Sequence, residues 1–159
     1  MKKYTVVLLL FMFQIPLLMA DNSRFISFTQ LPDTIQKFVS KCYGDQPIHK
    51  IKQTSTRYKI YFQNYDEITF SMATNNWIDA ESLNALPVTL LATLPKKILE
   101  YLIEYYEGVP VVELERMNNN WIGLELTTGE DILFNADGLF IQTNYGSGLN
   151  DPNRNITYP

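Results

Sequence analysis

Two stretches of the chain say nearly the same thing. Residues 31–47 read LPDTIQKFVSKCYGDQP, and residues 94–110 read LPKKILEYLIEYYEGVP. A shift of 63 places Leu31 on Leu94, Pro32 on Pro95, Ile35 on Ile98, Tyr43 on Tyr106 and Pro47 on Pro110. A shift of 64 then places Tyr58 on Ile122, Ile60 on Leu124, Phe62 on Leu126, Ile68 on Ile132 and Phe70 on Phe134. The extra residue falls in the Asn118-Asn119-Asn120 turn. Residue types that recur in the same order at a fixed offset predict one supersecondary unit built twice.

Each copy opens with a helix. Ile35, Phe38, Val39 and Cys42 follow the spacing i, i+3, i+4, i+7, and so do Ile98, Tyr101, Leu102 and Tyr105. That is one apolar face of a helix. Pro32 and Pro95 suit a first helical position, where φ is already set and no N–H is needed. Leu31 and Leu94 stand where a capping side chain would be expected, and we read them as core anchors. Gly44 with Pro47, and Gly108 with Pro110, end the helices.

After each helix the period changes to two. In RYKIYFQ, Tyr58, Ile60 and Phe62 share a face, NYDE turns, and EITFSM returns with Ile68, Phe70 and Met72. In the second copy WIGLEL places Ile122, Leu124 and Leu126 inward, TTGE turns, and DILF returns with Ile132 and Phe134. Asn135-Ala136-Asp137-Gly138 is a further hairpin signal. Strands are also expected at 48–53, 77–80, 111–116 and 139–143. Each copy is then one helix and four antiparallel strands. A unit of some 60 residues is marginal alone. Two such units side by side would join into one curved antiparallel sheet with both helices on one face and the other face open. The expected fold class is α+β. The linker ESLNALPVTLLATLP is expected to pack on the second helix. Helix two also carries a second stripe, Leu99, Ile103 and Tyr106, which either that linker or a partner covers; burial by the linker is the expectation.

The start of the chain sets the compartment. Lys2 and Lys3 precede an apolar run that ends at Ala20, followed by polar residues. This is the pattern of a secretory signal peptide, cleaved after Ala20, and the run is too short and too interrupted by Pro16 for a spanning helix. The expected organisation is a signal peptide at 1–20, a first unit at 21–83, a second at 84–145 and a tail at 146–159. Localisation is expected to be periplasmic or secreted, with no stable membrane insertion after cleavage. Removing Lys2 and Lys3 moves the formal charge from −4 to −6. An acidic surface repels phosphate backbones, which argues against nucleic acid as a partner. Cys42 is the only cysteine, so no internal disulfide forms.

Searched for chemistry, the chain offers little. Cys42 falls on the core face of its helix, where a thiol is inert. His49 has no second histidine to share a metal, and one His with one Cys does not build a typical zinc site. Asp66-Glu67 and Glu130-Asp131 lie at matching turns, where solvated charges are ordinary. NDPNRN in the tail lacks the spacing of a calcium loop. No catalytic residue, cofactor or metal is therefore expected, and the chain reads as no enzyme. By strand parity Tyr61 and Trp121 face away from the helices, while Trp77 follows a turn and fits either face. These three are the candidate residues for holding a protein or peptide partner; a cross-strand cluster is the plainer reading.

The features LP..I..F/Y, a period-two strand, a polar turn, I.F and a hairpin before an aromatic occur twice after a signal peptide. In this the chain resembles the PepSY-like, β-lactamase-inhibitor-like periplasmic proteins of Bacteroides-type bacteria. The family's Asp and later Gly are best kept in ILFNADG, with Asn135 in place of the Asp. ITFSMATNNW keeps neither, but retains the aromatic as Trp77. The resemblance implies a tandem helix-plus-four-strand fold, export, and an open sheet face that grips another protein. It supplies no catalytic residues to carry over. The reading is a non-enzymatic, inhibitor-like binding module, with a small-ligand or envelope-polymer binder as the alternative.

Overall fold

The computed structural model describes residues 23–44, 46–117 and 119–145. The expected signal peptide, the tail and Asn118 lie outside them. The fold is α+β. Among the described residues, β1 (Arg24–Phe25) and a 3-10 turn (Phe28–Gln30) precede α1 (Asp33–Tyr43), followed by β2 (Ile48–Gln53), β3 (Arg57–Phe62), β4 (Glu67–Ser71) and β5 (Trp77–Glu81). Then come α2 (Val88–Leu91), α3 (Lys96–Tyr105), β6 (Val111–Arg116), β7 (Ile122–Leu126), β8 (Glu130–Phe134) and β9 (Phe140–Tyr145). The nine strands form one sheet in chain order, every neighbouring pair antiparallel.

One row of directly opposed residues crosses the sheet on its covered face. Ile51 stands opposite Ile60, Ile60 opposite Ile68, Ile68 opposite Ala80, Ala80 opposite Leu114, Leu114 opposite Leu124 and Leu124 opposite Ile132. All are buried, and they belong to the same core cluster as Ile35 and Val39 of α1, Leu90 of α2 and Ile98 of α3. Aromatic rings fix the helices above that face. Tyr43 stacks on Phe62 at 4.3 Å, Phe38 meets Phe70 edge-on at 5.6 Å, and Tyr101 meets Phe134 edge-on at 5.3 Å. Edge and offset contacts of this kind suit the ring quadrupole.

Leu-Pro opens each of the three α-helices. Leu31, Leu86 and Leu94 are 3%, 3% and 5% exposed, and Pro32, Pro87 and Pro95 are the N-caps, with φ between −51° and −57°. The prolines therefore lie one position before the expected one. Each leucine anchors in the core, and each proline carbonyl receives the first helical N–H.

The structure corrects three packing expectations. The linker helix α2 docks on α1, not on the second helix: the Thr89 hydroxyl donates to the Cys42 carbonyl. The stripe on α3 is consequently left partly open, with Ile103 67% exposed. Tyr105, expected in the core, is 61% exposed, because no helix among the described residues lies over its slot as α2 lies over Cys42. Asp66 and Asp131, expected as solvated turn charges, are buried. β1 escaped the sequence reading because two residues carry no periodicity.

Candidate functional site

Bulges decide which side chains reach the open face. In β4–β5 the register moves between Thr69 and Phe70, so that Phe70 pairs with Trp77 while Ile68 pairs with Ala80. The extra residue on β5 turns both Trp77 and Ala80 to the covered face. Trp77 is 5% exposed in the core, and its ring is capped by the Arg116 guanidinium at 4.4 Å. Trp77 thus does not belong to the open face. Trp121 lies half-buried in the turn before β7, its backbone N–H donating to Asn119 Oδ1. Of the three candidates, Tyr61 is the one that β-strand register places on the open face, opposite Lys50 and Glu67. Lys50 Nζ lies 4.6 Å and Lys59 Nζ 5.4 Å from its ring centre. Among the described residues the structure brings no aromatic patch together there.

What it brings together is charge. Glu67 on β4 opposes Glu81 on β5, Glu81 opposes Glu113 on β6, Glu113 opposes Glu125 on β7, and Glu125 opposes Asp131 on β8. In the next row Asp79 opposes Glu115. Basic residues occupy the other end, with Lys50 and Lys52 on β2 and Arg57 and Lys59 on β3. The face is therefore divided: cations on β2–β3, carboxylates on β4–β8. Between them lies a trough of about 730 Å³ whose walls include Lys52, Arg57, Lys59, Asp79, Glu81 and Glu115.

Like charges directly opposite in a sheet destabilise it. Lys59 relieves one end, pairing with Glu67 and lying 3.9 Å from Glu81. Burial works against the Lys59 charge, but Glu67 outweighs it and holds the amine above its ordinary value. Further along, protons do the relieving. Burial, then the Asp79, Glu81, Glu125 and Glu115 charges, lift Glu113 to about 7. Its Oε1 is buried without a hydrogen-bond partner. Burial and Glu81 lift Asp79 to about 6, against the pull of Lys59 and a 3.4 Å hydrogen bond from the Thr69 hydroxyl. Among the described residues no group of three or more His, Cys, Asp or Glu is arranged to hold a metal ion.

Two segments, residues 19–76 and 73–142, match the model of the family described as "Putative beta-lactamase-inhibitor-like, PepSY-like". The chain belongs to that family. It resembles a crystal structure of a "putative periplasmic protein" from Bacteroides vulgatus, at 25% identity over 79% of this chain and 98% of that one, with a TM-score of 0.69. A "putative calcium-regulated periplasmic protein" from Bacteroides thetaiotaomicron shares the fold at 23% identity, over 79% and 98% of the two chains, also with a TM-score of 0.69. A second Bacteroides vulgatus periplasmic protein of unknown function shares it at 20% identity, over 77% and 98%, with a TM-score of 0.65. No curated protein matches the chain. The location of these neighbours agrees with the export expected from residues 1–20. No helix among the described residues is long and apolar enough to cross a membrane.

Proposed function

We propose that the chain is an exported, non-enzymatic binding module that recognises a protein or peptide through its open sheet face, in the manner of an inhibitor. The observation that carries this reading is the division of charge on that face. The carboxylate rows favour a ligand that brings cations to β4–β8, and Lys50 and Lys59 beside Tyr61 favour an acidic group at the other end. The family description supports an inhibitor-like role. Tyr61 is the aromatic anchor in this account, and Trp121, in the turn before β7, is a separate candidate.

The face is read as the product of two joined units, 21–83 and 84–145. Matched irregularities support this. The register moves between Ile48 and Lys50 and again between Val111 and Glu113, then between Thr69 and Phe70 and again between Leu133 and Phe134. The offsets are those of the sequence repeat.

A second reading, a binder of a small ligand or envelope polymer, is favoured by the trough itself, where side chains of both signs converge. Capture from an envelope extract separates the two. Wild type is compared with Tyr61→Ala/Lys59→Glu and with Glu81→Lys/Glu125→Lys. The protein-binding reading expects a partner retained by wild type and lost by both variants. Capture of the same proteins by all three would overturn it.

A further inference from the structure

The trough on the open face has a polarity that its register explains. One row of directly opposed residues crosses β2 to β6 as Lys52, Lys59, Thr69, Asp79 and Glu115. Two cations stand on one side of a threonine and two carboxylates on the other. Arg57 lies two residues before Lys59 on β3 and shares its face; Glu81 lies two residues after Asp79 on β5 and shares its face. Thr69 has the shortest side chain of the row and is buried, so the row dips at its centre between walls of longer side chains. All of these residues line the same space of about 730 Å³, a size that suits a ligand of a few residues.

The two walls do not neutralise each other. Lys59 pairs with Glu67 and lies 3.9 Å from Glu81. Asp79 is nonetheless raised to about 6, burial and Glu81 outweighing the pull of Lys59. The Thr69 hydroxyl, 3.4 Å away, donates to the Asp79 carboxylate and orients it at the edge of the dip. Neighbouring strands lie about 4.8 Å apart, so the backbones of Lys59 and Asp79 are about 10 Å apart and those of Lys59 and Glu115 about 14 Å apart. An extended peptide gains at most about 3.3–3.6 Å per residue, so three or four residues set its two termini at that separation. A single amino acid, with both charges on one Cα, is too short to meet both walls.

We propose that the trough binds a short free peptide of three or four residues, lying across β3–β5 over Thr69 with its terminal carboxylate on the Lys52, Arg57 and Lys59 wall and its terminal ammonium on the Asp79, Glu81 and Glu115 wall. The proposal rests on the reading of the open face as a peptide-recognising surface, and it names the length and both ends of the peptide. The carboxylate gains charge-assisted hydrogen bonds, with the Arg57 guanidinium able to grip it at two points. The ammonium relieves the opposition of Asp79 to Glu115.

Calorimetric titration of the full chain tests it, with trialanine, N-acetyl-trialanine and trialanine amide as the probes. Trialanine is expected to bind. Each blocked peptide is expected to bind at least about tenfold more weakly, through the loss of one charged, hydrogen-bonded end. Arg57→Gln is expected to narrow the gap between trialanine and its amide, and Asp79→Asn the gap between trialanine and its acetylated form. No binding of trialanine by wild type, or equal binding of all three peptides, would overturn the proposal whether or not the variants fold. The outcome is separable from that of the capture experiment. Proteins captured by wild type alone beside a blank titration would sink this proposal and leave the protein-binding reading standing. Peptide bound as expected, with the same proteins captured by all variants, would do the reverse.

Discussion

Ala80 on β5 stands directly opposite Leu114 on β6, both fully buried, and the residues on either side of that pair oppose acid to acid. Asp79 faces Glu115 and Glu81 faces Glu113. In the β5–β6 pair, one apolar contact on the covered face is thus flanked by two acid pairs on the other face. Leu114→Ala is expected to cost about 2–5 kcal/mol, since a site with no exposed surface closes poorly around a deleted side chain. Urea denaturation checks this: the midpoint should fall substantially, and Leu139→Ala, at a position 50% exposed, should barely move it.

The acidic row makes stability depend on pH in an unusual direction. Burial and neighbouring carboxylates raise Glu113 from 4.5 to about 7 and Asp79 from 3.8 to about 6. Between those values the folded chain holds more protons than the unfolded chain, so these two groups lower stability as pH rises through the window. Below it their cost is absent, and above it the cost is constant. Glu113→Gln should therefore match wild type in acid and exceed it above neutrality, by about 1 kcal/mol after allowance for solvent screening. Thermal midpoints taken from about pH 5 to about pH 8 would check the sign. A constant difference would contradict it.

Two glycines with the same backbone angle separate strain from collision. Gly108 and Gly138 both have φ of +76°. A Cβ at Gly108 would meet no atom within 4 Å, whereas one at Gly138 would lie 2.9 Å from Pro95 Cβ and 3.3 Å from Ile98 Cγ1. Gly108→Ala should cost about 1–2 kcal/mol, the price of a left-handed residue. Gly138→Ala should cost clearly more, because α3 must lift off the β8–β9 hairpin. Paired denaturation curves give the difference directly.

Cys42 is expected to be inert in the folded chain. Burial raises its thiol above the ordinary value, and its Sγ faces the Thr89 carbonyl at 3.8 Å. Labelling by a thiol reagent should be slow until denaturant is added. Thr89→Val removes the hydroxyl that binds α2 to the Cys42 carbonyl and should quicken labelling at unchanged fold.

The strands and helices were legible because their apolar periods are clean. RYKIYF and IGLEL alternate, and KKILEYLIEY keeps its stripe. What hid from the sequence was register. The acids of WIDAE, VVELER and IGLEL are plain in the text, yet only the pairing of Glu81 with Glu113 and of Glu113 with Glu125 turns them into a row. The bulge beside Phe70 likewise sent Trp77 inward, against its candidacy as a partner anchor. Tyr105 misled for a different reason: its helical position is right, but the segment that buries the matching Cys42 has no counterpart over α3 among the described residues.

A sheet whose strands pair in the order they are made has a kinetic consequence. Each strand from β2 onward finds its partner already made, a turn behind it except where α1 precedes β2 and α2 and α3 precede β6, and no later segment must be awaited to fill a gap. Loop closure is short at the other steps, which favours quick folding and leaves few stretches waiting exposed. A chain that emerges from its N-terminus forward can therefore assemble this sheet as it arrives, each new strand finding an edge already prepared to receive it.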